Sequence, residues 1–346
     1  MKNTNNFKFS IQTDLAIEAT ELIISSKQAQ EQNDEFELDG IEVYEEEVND
    51  NIKVTKVKIT NQEGQKTTGK PQGEYITIES SIIRDGTEGQ EDIISVLSKS
   101  LQELIKINFK QNDFFQKSSV LIVGLGNRNI TPDALGPLVT SKVFVTRHLT
   151  QNFNDEIFKE TRQVSAIAPG VTGTTGIETG EIIKGLCKTI KPDLVIAIDA
   201  LAARKTERIN STIQMSDTGI TPGAGVGNRR MVLNKETLGV PVIAIGVPTV
   251  VDAATLINDT MDKVLDEMTN KAQKGSAFYK MLKTLDKDEK YNLIYEILTP
   301  CDGNMFVTPK EVDAVIKRLA NIISNGINIA LHPNIINEEN MGSYSN

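Results

Sequence analysis

Two aspartates in this chain occupy positions at which acid–base chemistry is common. Asp199 directly follows an apolar run at 194–198, and Asp133 follows a second apolar run at 120–123 and a short glycine-containing turn. Runs of this length and composition are typical of buried parallel strands. Because the carboxyl ends of parallel strands meet at one edge of a sheet, we expect the two carboxylates to lie close together.

A close pair of carboxylates can divide the work of hydrolysis, because two like charges at short range cannot both form easily. Thr131 is predicted to be a helix N-cap with Pro132 at the first helical position, so that Asp133 lies in the first turn, where the helix dipole favours an anion. Asp199 follows apolar residues, and desolvation favours its neutral form. We expect Asp133 to activate water and Asp199 to donate a proton.

Each aspartate also has an ordinary structural interpretation. Asp133 could be only an acid in the capping region of a helix, and Asp199 could be an N-cap or the partner of a basic residue. It is the occurrence of both at strand ends of one sheet that favours catalysis.

The composition disfavours several other kinds of chemistry. The chain has 346 residues but only two histidines and two cysteines, and neither Cys187 nor Cys301 lies in a CxxC or CxxH spacing. A zinc–thiolate site is therefore disfavoured, and the GxSxG signature of serine hydrolases is absent. We expect no metal and no cofactor, and any hydrolytic chemistry points to carboxylates.

The charge and the apolar pattern limit the partners and the location. A formal net charge of −10 disfavours nucleic acid or an anionic membrane as a direct partner. No apolar stretch approaches the roughly 20 residues that a membrane-spanning helix needs, and the N-terminus lacks the apolar core of a secretory signal. Two cysteines suit a reducing compartment, so we expect a cytoplasmic protein.

Two glycine-rich stretches could bind an anion. The stretch 124–129 lacks the third glycine of a dinucleotide fingerprint, and 221–230 has neither that fingerprint nor the spacing of a phosphate-binding loop. Backbone N–H groups near Gly223 and Gly225 could instead hold an oxyanion or an extended peptide. A non-catalytic nucleotide-binding module therefore stays an alternative function.

The remaining pattern predicts an α/β fold. Strands and helices alternate after residue 120, which is typical of a mainly parallel twisted sheet with helices on both faces. Before it, an acidic stretch with alternating apolar residues predicts a smaller β-rich subdomain, in which a change of phase between Val54 and Val57 predicts a bulge. Residues 308–311 have the form of a capping box, opening a helix that Gly326 should end.

Five segments, in this order, resemble the germination proteases of spore-forming bacteria, and the likeness extends from residue 11 to about 330. The segments are GLGNRNITPDALGP at 124–137, VTRHL at 145–149, the loop at 169–180, LVIAIDALAAR at 194–204 and TPGAGVGNRR at 221–230. The resemblance implies an atypical aspartic endopeptidase that starts the degradation of small acid-soluble spore proteins during germination. It also implies a core similar to that of the hydrogenase maturation proteases, with Asp133 and Asp199 as the catalytic aspartates.

The resemblance further implies a zymogen that trims its own N-terminus. Substrates of the family are cut after an acid that precedes a hydrophobic residue and alanine, and Asp14-Leu15-Ala16 has this form with aspartate in place of glutamate. We therefore predict self-cleavage between Asp14 and Leu15, although Asp14 could serve as a helix N-cap as well. The predicted segments are a propeptide (1–14), an N-terminal helix with the β-rich subdomain and a lead-in helix (15–110), the catalytic core (111–330) and a flexible tail (331–346).

An acid before the cleaved bond needs a cation or backbone N–H groups to bind it. The candidate cations are Arg128, Arg204, Arg229 and Arg230. The resemblance also implies a homotetramer in the cytoplasm of the forespore or spore core. Its likeness to the maturation proteases leaves open a metal-assisted peptidase, with His148 beside the two aspartates.

Overall fold

The computed structural model describes residues 13–28, 39–109, 118–152, 161–223, 230–271 and 305–333. The strands are β1 Ile41–Asn49, β2 Ile52–Ile59, β3 Gly73–Glu79, β4 Ser119–Gly124, β5 Gln163–Ile167, β6 Leu194–Ala203, β7 Thr212–Ser216, β8 Val242–Asp252 and β9 Phe306–Val307. They form one nine-stranded sheet in the order β1-β2-β3-β7-β8-β6-β4-β5, with β9 paired to β8.

The described part of the chain also contains helices between and beyond these strands. They are α1 Ala16–Gln28, α2 Gln62–Thr68, α3 Ser81–Asp85, α4 Gln90–Asn108, α5 Leu135–Thr140, α6 Arg147–Asn152, α7 Thr172–Thr175, α8 Thr179–Ile190, α9 Lys235–Leu238, α10 Ala253–Lys271 and α11 Val312–Leu331. None of these helices is long and apolar enough to cross a membrane.

The sheet has a parallel half and an antiparallel half. Strands β5, β4, β6 and β8 are joined by parallel ladders. Strands β1, β2, β3 and β7 are joined by antiparallel ladders, and β7 and β9 pair antiparallel with β8. The predicted α/β class is confirmed, but the sheet is mixed rather than mainly parallel, and the likeness to the hydrogenase maturation proteases stays a prediction.

Both faces of the parallel half are buried. Val120 and Ile122 of β4 pack into the larger core, together with residues of α4 and α11. Leu121 and Val123 point to the opposite face, where α8 contributes Ile183 to a smaller core. This alternation explains why β4 and β6 read as continuous apolar runs in the sequence.

The separate β-rich subdomain is not confirmed, because β3 pairs with β7 and so continues the same sheet. The predicted bulge in β2 is wrong, since β2 and β3 keep one register from Lys53 to Ile59. Instead, Val54 belongs to the larger core and Val57 to a third cluster that includes Ala16 of α1. The change of phase marks a change in which face of the strand is buried.

The C-terminal helix differs from its prediction at both ends. No side-chain capping bond forms at Glu311, and α11 continues through Gly326 to Leu331. A Cβ atom at Gly326 would lie 2.3 Å from Leu97 Cδ2, so this glycine permits the close approach of α4 rather than ending the helix. Leu331 and His332 are buried, and residues 334–346 of the predicted tail lie outside the described residues.

Candidate active site

Asp199 lies inside β6 and not at its end, because β6 continues to Ala203. Its Cα is in register with Gly246 of β8, and the residue is 5% exposed. Asp199 Oδ1 accepts a hydrogen bond from the Ala200 N–H at 3.0 Å. Beyond it, the β6–β8 register shifts between Leu201 and Ala202, an irregularity of the kind that is common beside active sites.

Asp133 is held by the loop that follows β4. Its Oδ2 accepts a hydrogen bond from the Asn127 N–H at 2.7 Å. Gly126 makes this geometry possible: its φ is +103°, and a Cβ atom there would lie 2.1 Å from the Asp133 carbonyl oxygen. The glycine-containing turn therefore brings the backbone N–H of Asn127 onto this carboxylate.

The helix start at Asp133 differs from the prediction. Residues Thr131–Asp133 form a single 3-10 turn whose N-cap position is Ile130, and no side chain caps it. Thr131 is therefore not the N-cap. Because α5 begins only at Leu135 and is six residues long, the Asn127 N–H contributes more to Asp133 than a helix dipole does.

The two acids have different electrostatic surroundings. Burial raises the pKa of Asp199 well above its usual range, and the Asp133 and Asp14 carboxylates raise it further, against the Ala200 N–H and Arg230. Burial also raises the pKa of Asp133, but the Asn127 N–H and Arg230 oppose that rise. A proton shared by the pair therefore belongs on Asp199.

Both acids line one cleft with a volume of about 670 Å³. The cleft also contains residues from β8, β9 and the loop after β9, and Thr249 Oγ1 donates to the Pro132 carbonyl oxygen at 2.8 Å. Gly223, Arg230, Phe306 and Thr308 are among the residues that line the cleft.

The N-terminal segment enters the same cleft. Asp14 lines it, and Asp14 Oδ2 accepts a hydrogen bond from the Ala202 N–H of β6 at 3.0 Å. The Asp14 N–H donates to the Ala202 carbonyl oxygen at 3.4 Å. Leu15 is fully buried against Leu201 and Ile220. Asp14 thus lies at a bend that is bonded to β6 just before α1 begins, and its carboxylate is close enough to Asp199 to raise the pKa of that group.

Comparisons with known proteins decide the family. A family model described as germination protease matches residues 16–277 and 266–345. Germination proteases from Clostridium perfringens and Clostridium tetani are both 51% identical to this chain, over 332 and 338 residues, covering 96% and 97% of it and 98% and 100% of the relatives. One from Bacillus velezensis is 44% identical over 369 residues, covering 98% of this chain and 97% of the relative.

The chain belongs to the germination protease family. It is therefore a peptidase, and the resemblance drawn from the sequence motifs is confirmed.

The arginines that were candidates for binding the acidic side chain differ in their positions relative to the cleft. Arg230 lies in it and acts on both acids. Arg128 instead donates to the Pro137 carbonyl oxygen at 3.1 Å, and Arg204 pairs with Asp259 at 3.7 Å. Arg229 and Gly225 lie outside the described residues, whereas Gly223 is part of the wall.

Two residues of the site were missed by sequence reasoning. Lys70, in the loop before β3, donates from Nζ to the Asp14 carbonyl oxygen at 3.0 Å. Gln214 of β7 donates from Nε2 to the same oxygen at 3.3 Å. Neither residue lies in a motif, and no local signal in the sequence marks them.

The described residues give little support to the two alternative functions, a metal-assisted peptidase and a nucleotide-binding module. Within the described ranges, no three histidine, cysteine, aspartate or glutamate side chains are grouped so that they could hold a metal ion. His148 lies exposed on α6. The turn at 124–126 packs against the Asp133 carboxylate, which would repel the phosphates of a nucleotide.

Proposed function

We propose that this germination protease starts the degradation of small acid-soluble spore proteins as an aspartic endopeptidase, with Asp133 and Asp199 as its acid–base pair. The observation that carries the proposal is the pairing of two carboxylates in one cleft, both with raised pKa and Asp199 the more strongly shifted. Perturbed groups of this kind, facing a cleft, are characteristic of catalytic acids and bases.

The surroundings of each acid suggest its role. Asp133, ionised and bonded to the Asn127 N–H, takes a proton from water as that water attacks the carbonyl carbon. Asp199, protonated in its buried position, gives its proton to the leaving nitrogen as the C–N bond breaks. The pair holds one proton before and after the reaction, on opposite members.

We propose that the chain is made as a zymogen that cuts itself between Asp14 and Leu15. The support is the position of this bond in the cleft, where Asp14 is bonded to Ala202 and acts on Asp199. Asp14 would then lie where a residue of the substrate binds, so the zymogen cannot admit a substrate there.

The position of Asp14 also favours one way of binding an acidic side chain before the cleaved bond. Its carboxylate accepts a hydrogen bond from the Ala202 N–H. Burial raises the pKa of this carboxyl, and the Ala202 N–H and the Lys70 ammonium oppose that rise. Arg128 and Arg204 are engaged elsewhere, and Arg230 acts on Asp133 and Asp199. We therefore propose that a backbone N–H group and Lys70, rather than an arginine, recognise the acid. A homotetramer in the spore core remains part of the proposal, and sedimentation of the purified chain tests its size.

The acid pair is tested by Asp133→Asn and Asp199→Asn in the full chain. Each should lower both self-cleavage and cleavage of a spore-protein substrate by at least about a thousandfold, because Asp133→Asn removes the group that takes the proton of water and Asp199→Asn removes the donor to the leaving nitrogen. Asp193→Asn is the matched control, since Asp193 precedes the same strand at its other end and accepts from the Ser119 N–H at 2.7 Å.

Near-normal turnover by either folded variant would refute the acid pair. A strong chelator separates the metal-assisted alternative, which predicts loss of activity, from the carboxylate mechanism, which predicts none.

A further inference from the structure

The Asp14–Leu15 bond is contacted on its carbonyl side by two residues of the antiparallel half. The Asp14 carbonyl oxygen accepts hydrogen bonds from Lys70 Nζ at 3.0 Å and from Gln214 Nε2 at 3.3 Å. Lys70 Nζ also donates to the Thr13 carbonyl oxygen at 2.9 Å. An ammonium and an amide therefore converge on the oxygen that becomes negative when water attacks this bond.

The side-chain amide of Gln214 contacts backbone groups before and after Leu15. Its Nε2 contacts the Asp14 carbonyl oxygen, and its Oε1 accepts from the Ala16 N–H at 2.6 Å. A single planar amide thus fixes the peptide on both sides of Leu15. This reciprocal pairing resembles the way that one strand binds the next and sets the register of the bound chain.

The sheet register places Gln214 opposite Asp199. Gln214 of β7 and Asp199 of β6 are both in register with Gly246 of β8, so their side chains lie on one face, two strand spacings or about 10 Å apart. Gly246 has no side chain, and the Leu201 side chain of β6 packs over it, since a Cβ atom there would lie 2.4 Å from Leu201 Cδ1. The peptide is bonded to β6 through Ala202 and to β7 through Gln214, and Leu15 packs against Leu201.

We infer that Lys70 and Gln214 are catalytic residues that bind and polarise the carbonyl group of the bond to be cut, opposite the Asp133–Asp199 pair. This inference rests on the proposed function. Water attacks the carbonyl carbon and gives its proton to Asp133, while the charge that develops on the oxygen is stabilised by Lys70 and Gln214. Asp199 then protonates the Leu15 nitrogen, the C–N bond breaks, and the oxygen reforms its double bond in the new α-carboxyl group of Asp14, which keeps the second proton of the water on its hydroxyl.

The electrostatics of Lys70 suit this role. Burial lowers the pKa of Lys70, against the effect of Asp14 and Glu18, which face it. A more acidic ammonium is a stronger donor to a developing oxyanion. After self-cleavage, a substrate that takes the place of Thr13 and Asp14 meets the same two donors.

Lys70→Met and Gln214→Glu test the inference in the full chain. The methionine keeps much of the length of lysine without a donor, and the glutamate keeps the acceptor for the Ala16 N–H but loses the Nε2 donor. Each should slow self-cleavage about 100-fold or more, the usual loss for one oxyanion donor. The matched controls are Lys66→Met and Gln72→Glu, because Lys66 pairs with Glu63 and Gln72 with Gln65 at the surface.

A second measurement distinguishes a catalytic role of Lys70 and Gln214 from a role in binding the N-terminal segment alone. Variant chains trimmed by wild-type enzyme are assayed on a peptide with glutamate before the cleaved bond, and we expect kcat to fall by a similar factor. An unchanged kcat with a raised KM would overturn the inference, as would faster self-cleavage of Lys70→Met, which would make Lys70 a lock on the segment. If Lys70→Met does not fold, Gln214→Glu carries the test.

Two other measurements show whether the proposed function itself fails. A mature N-terminus at another residue removes the Asp14–Leu15 bond, and a fully active Asp199→Asn chain removes the acid pair. In both cases the kcat of the trimmed Lys70 and Gln214 variants still decides whether these side chains act on the carbonyl group.

Discussion

The parallel and antiparallel halves of the sheet make different contributions to this active site. The parallel half provides the two acids, Asp199 from β6 and Asp133 from the loop after β4. The antiparallel half provides Gln214 and, from the loop before β3, Lys70, which hold the peptide that the acids face. In the proposed mechanism, proton transfer and peptide binding therefore lie on separate parts of one sheet.

This division has a physical basis. The carboxyl ends of parallel strands lie at one edge of a sheet, where the loops that follow them, such as the one that holds Asp133, add further groups. An antiparallel strand such as β7 presents its side chains across the face of the sheet, where an extended peptide can lie. A change in one half should alter mainly the chemistry, and a change in the other mainly the fit of the peptide.

Among changes that leave the four side chains tested above in place, the largest effect is expected for Gly126→Ala in the parallel half. The new Cβ atom would lie 2.1 Å from the Asp133 carbonyl oxygen at a backbone φ of +103°, so the loop must move and carry the carboxylate with it. A displacement of about 1 Å can cost a hundredfold in rate, and the strained backbone should cost about 1–3 kcal/mol of stability. Self-cleavage rates and denaturant unfolding measure the two effects.

The control is Gly185→Ala in α8, where a Cβ atom would meet nothing within 4 Å. Alanine at this helical position should stabilise the protein by roughly 0.5–1 kcal/mol and leave the rate unchanged. Equal rates for the two variants would show that the loop does not position Asp133.

A smaller effect is expected for Asp14→Ala, which changes the bound peptide and leaves both halves of the sheet intact. The carboxylate accepts a charge-assisted hydrogen bond from the Ala202 N–H, and such bonds contribute about 1.5–3 kcal/mol. Self-cleavage at this bond should therefore slow by roughly 10- to 100-fold. Mass spectrometry of the products measures it.

Asp39→Ala is a suitable comparison, since Asp39 accepts from Asn61 Nδ2 at an exposed turn. If Asp14→Ala processes at the normal rate and at the same bond, the acid is not what this site recognises.

The residues that the two halves contribute to the site also differ in how well they could be predicted from the sequence. Asp133 and Asp199 could be predicted because apolar runs of four or five residues mark buried strands, and the acid follows in the local sequence. Lys70 and Gln214 could not, since Gln214 is 200 residues from the carbonyl group that it contacts. A polar side chain on a strand has no local feature that tells which distant peptide it will bind.

The errors at Thr131 and Gly326 have a related cause. A threonine before proline and a glycine within an apolar pattern have the composition of helix ends, but their roles depend on neighbours that are remote in sequence. Thr131 lies within a single turn above β8, where Thr249 holds Pro132. Gly326 faces Leu97 of α4. Packing overrides the local signal in both cases.

The smallest effect is expected in stability, for Asp199→Asn. The folded-state pKa of Asp199 is raised, so ionising this buried carboxyl opposes folding. The cost of ionising Asp199 does not affect folding at a pH below the pKa that this group has in the unfolded chain. It opposes folding in full at a pH above the pKa that the group has in the folded chain. The neutral amide should therefore stabilise the chain by about 1–2 kcal/mol at neutral pH, a gain common when a strained active-site group is removed, and the gain should vanish as the pH falls towards 4.

Thermal unfolding of wild type, Asp199→Asn and the exposed control Asp85→Asn across this pH range measures the difference, which at this chain length corresponds to roughly 1–2 °C per kcal/mol. The Asp85 variant should follow wild type within about 0.5 kcal/mol at every pH. A gain for Asp199→Asn that does not depend on pH would mean that its side chain is strained by packing and not by charge. The acids of the parallel half would then lack the electrostatic conflict that distinguishes them from the residues that hold the peptide.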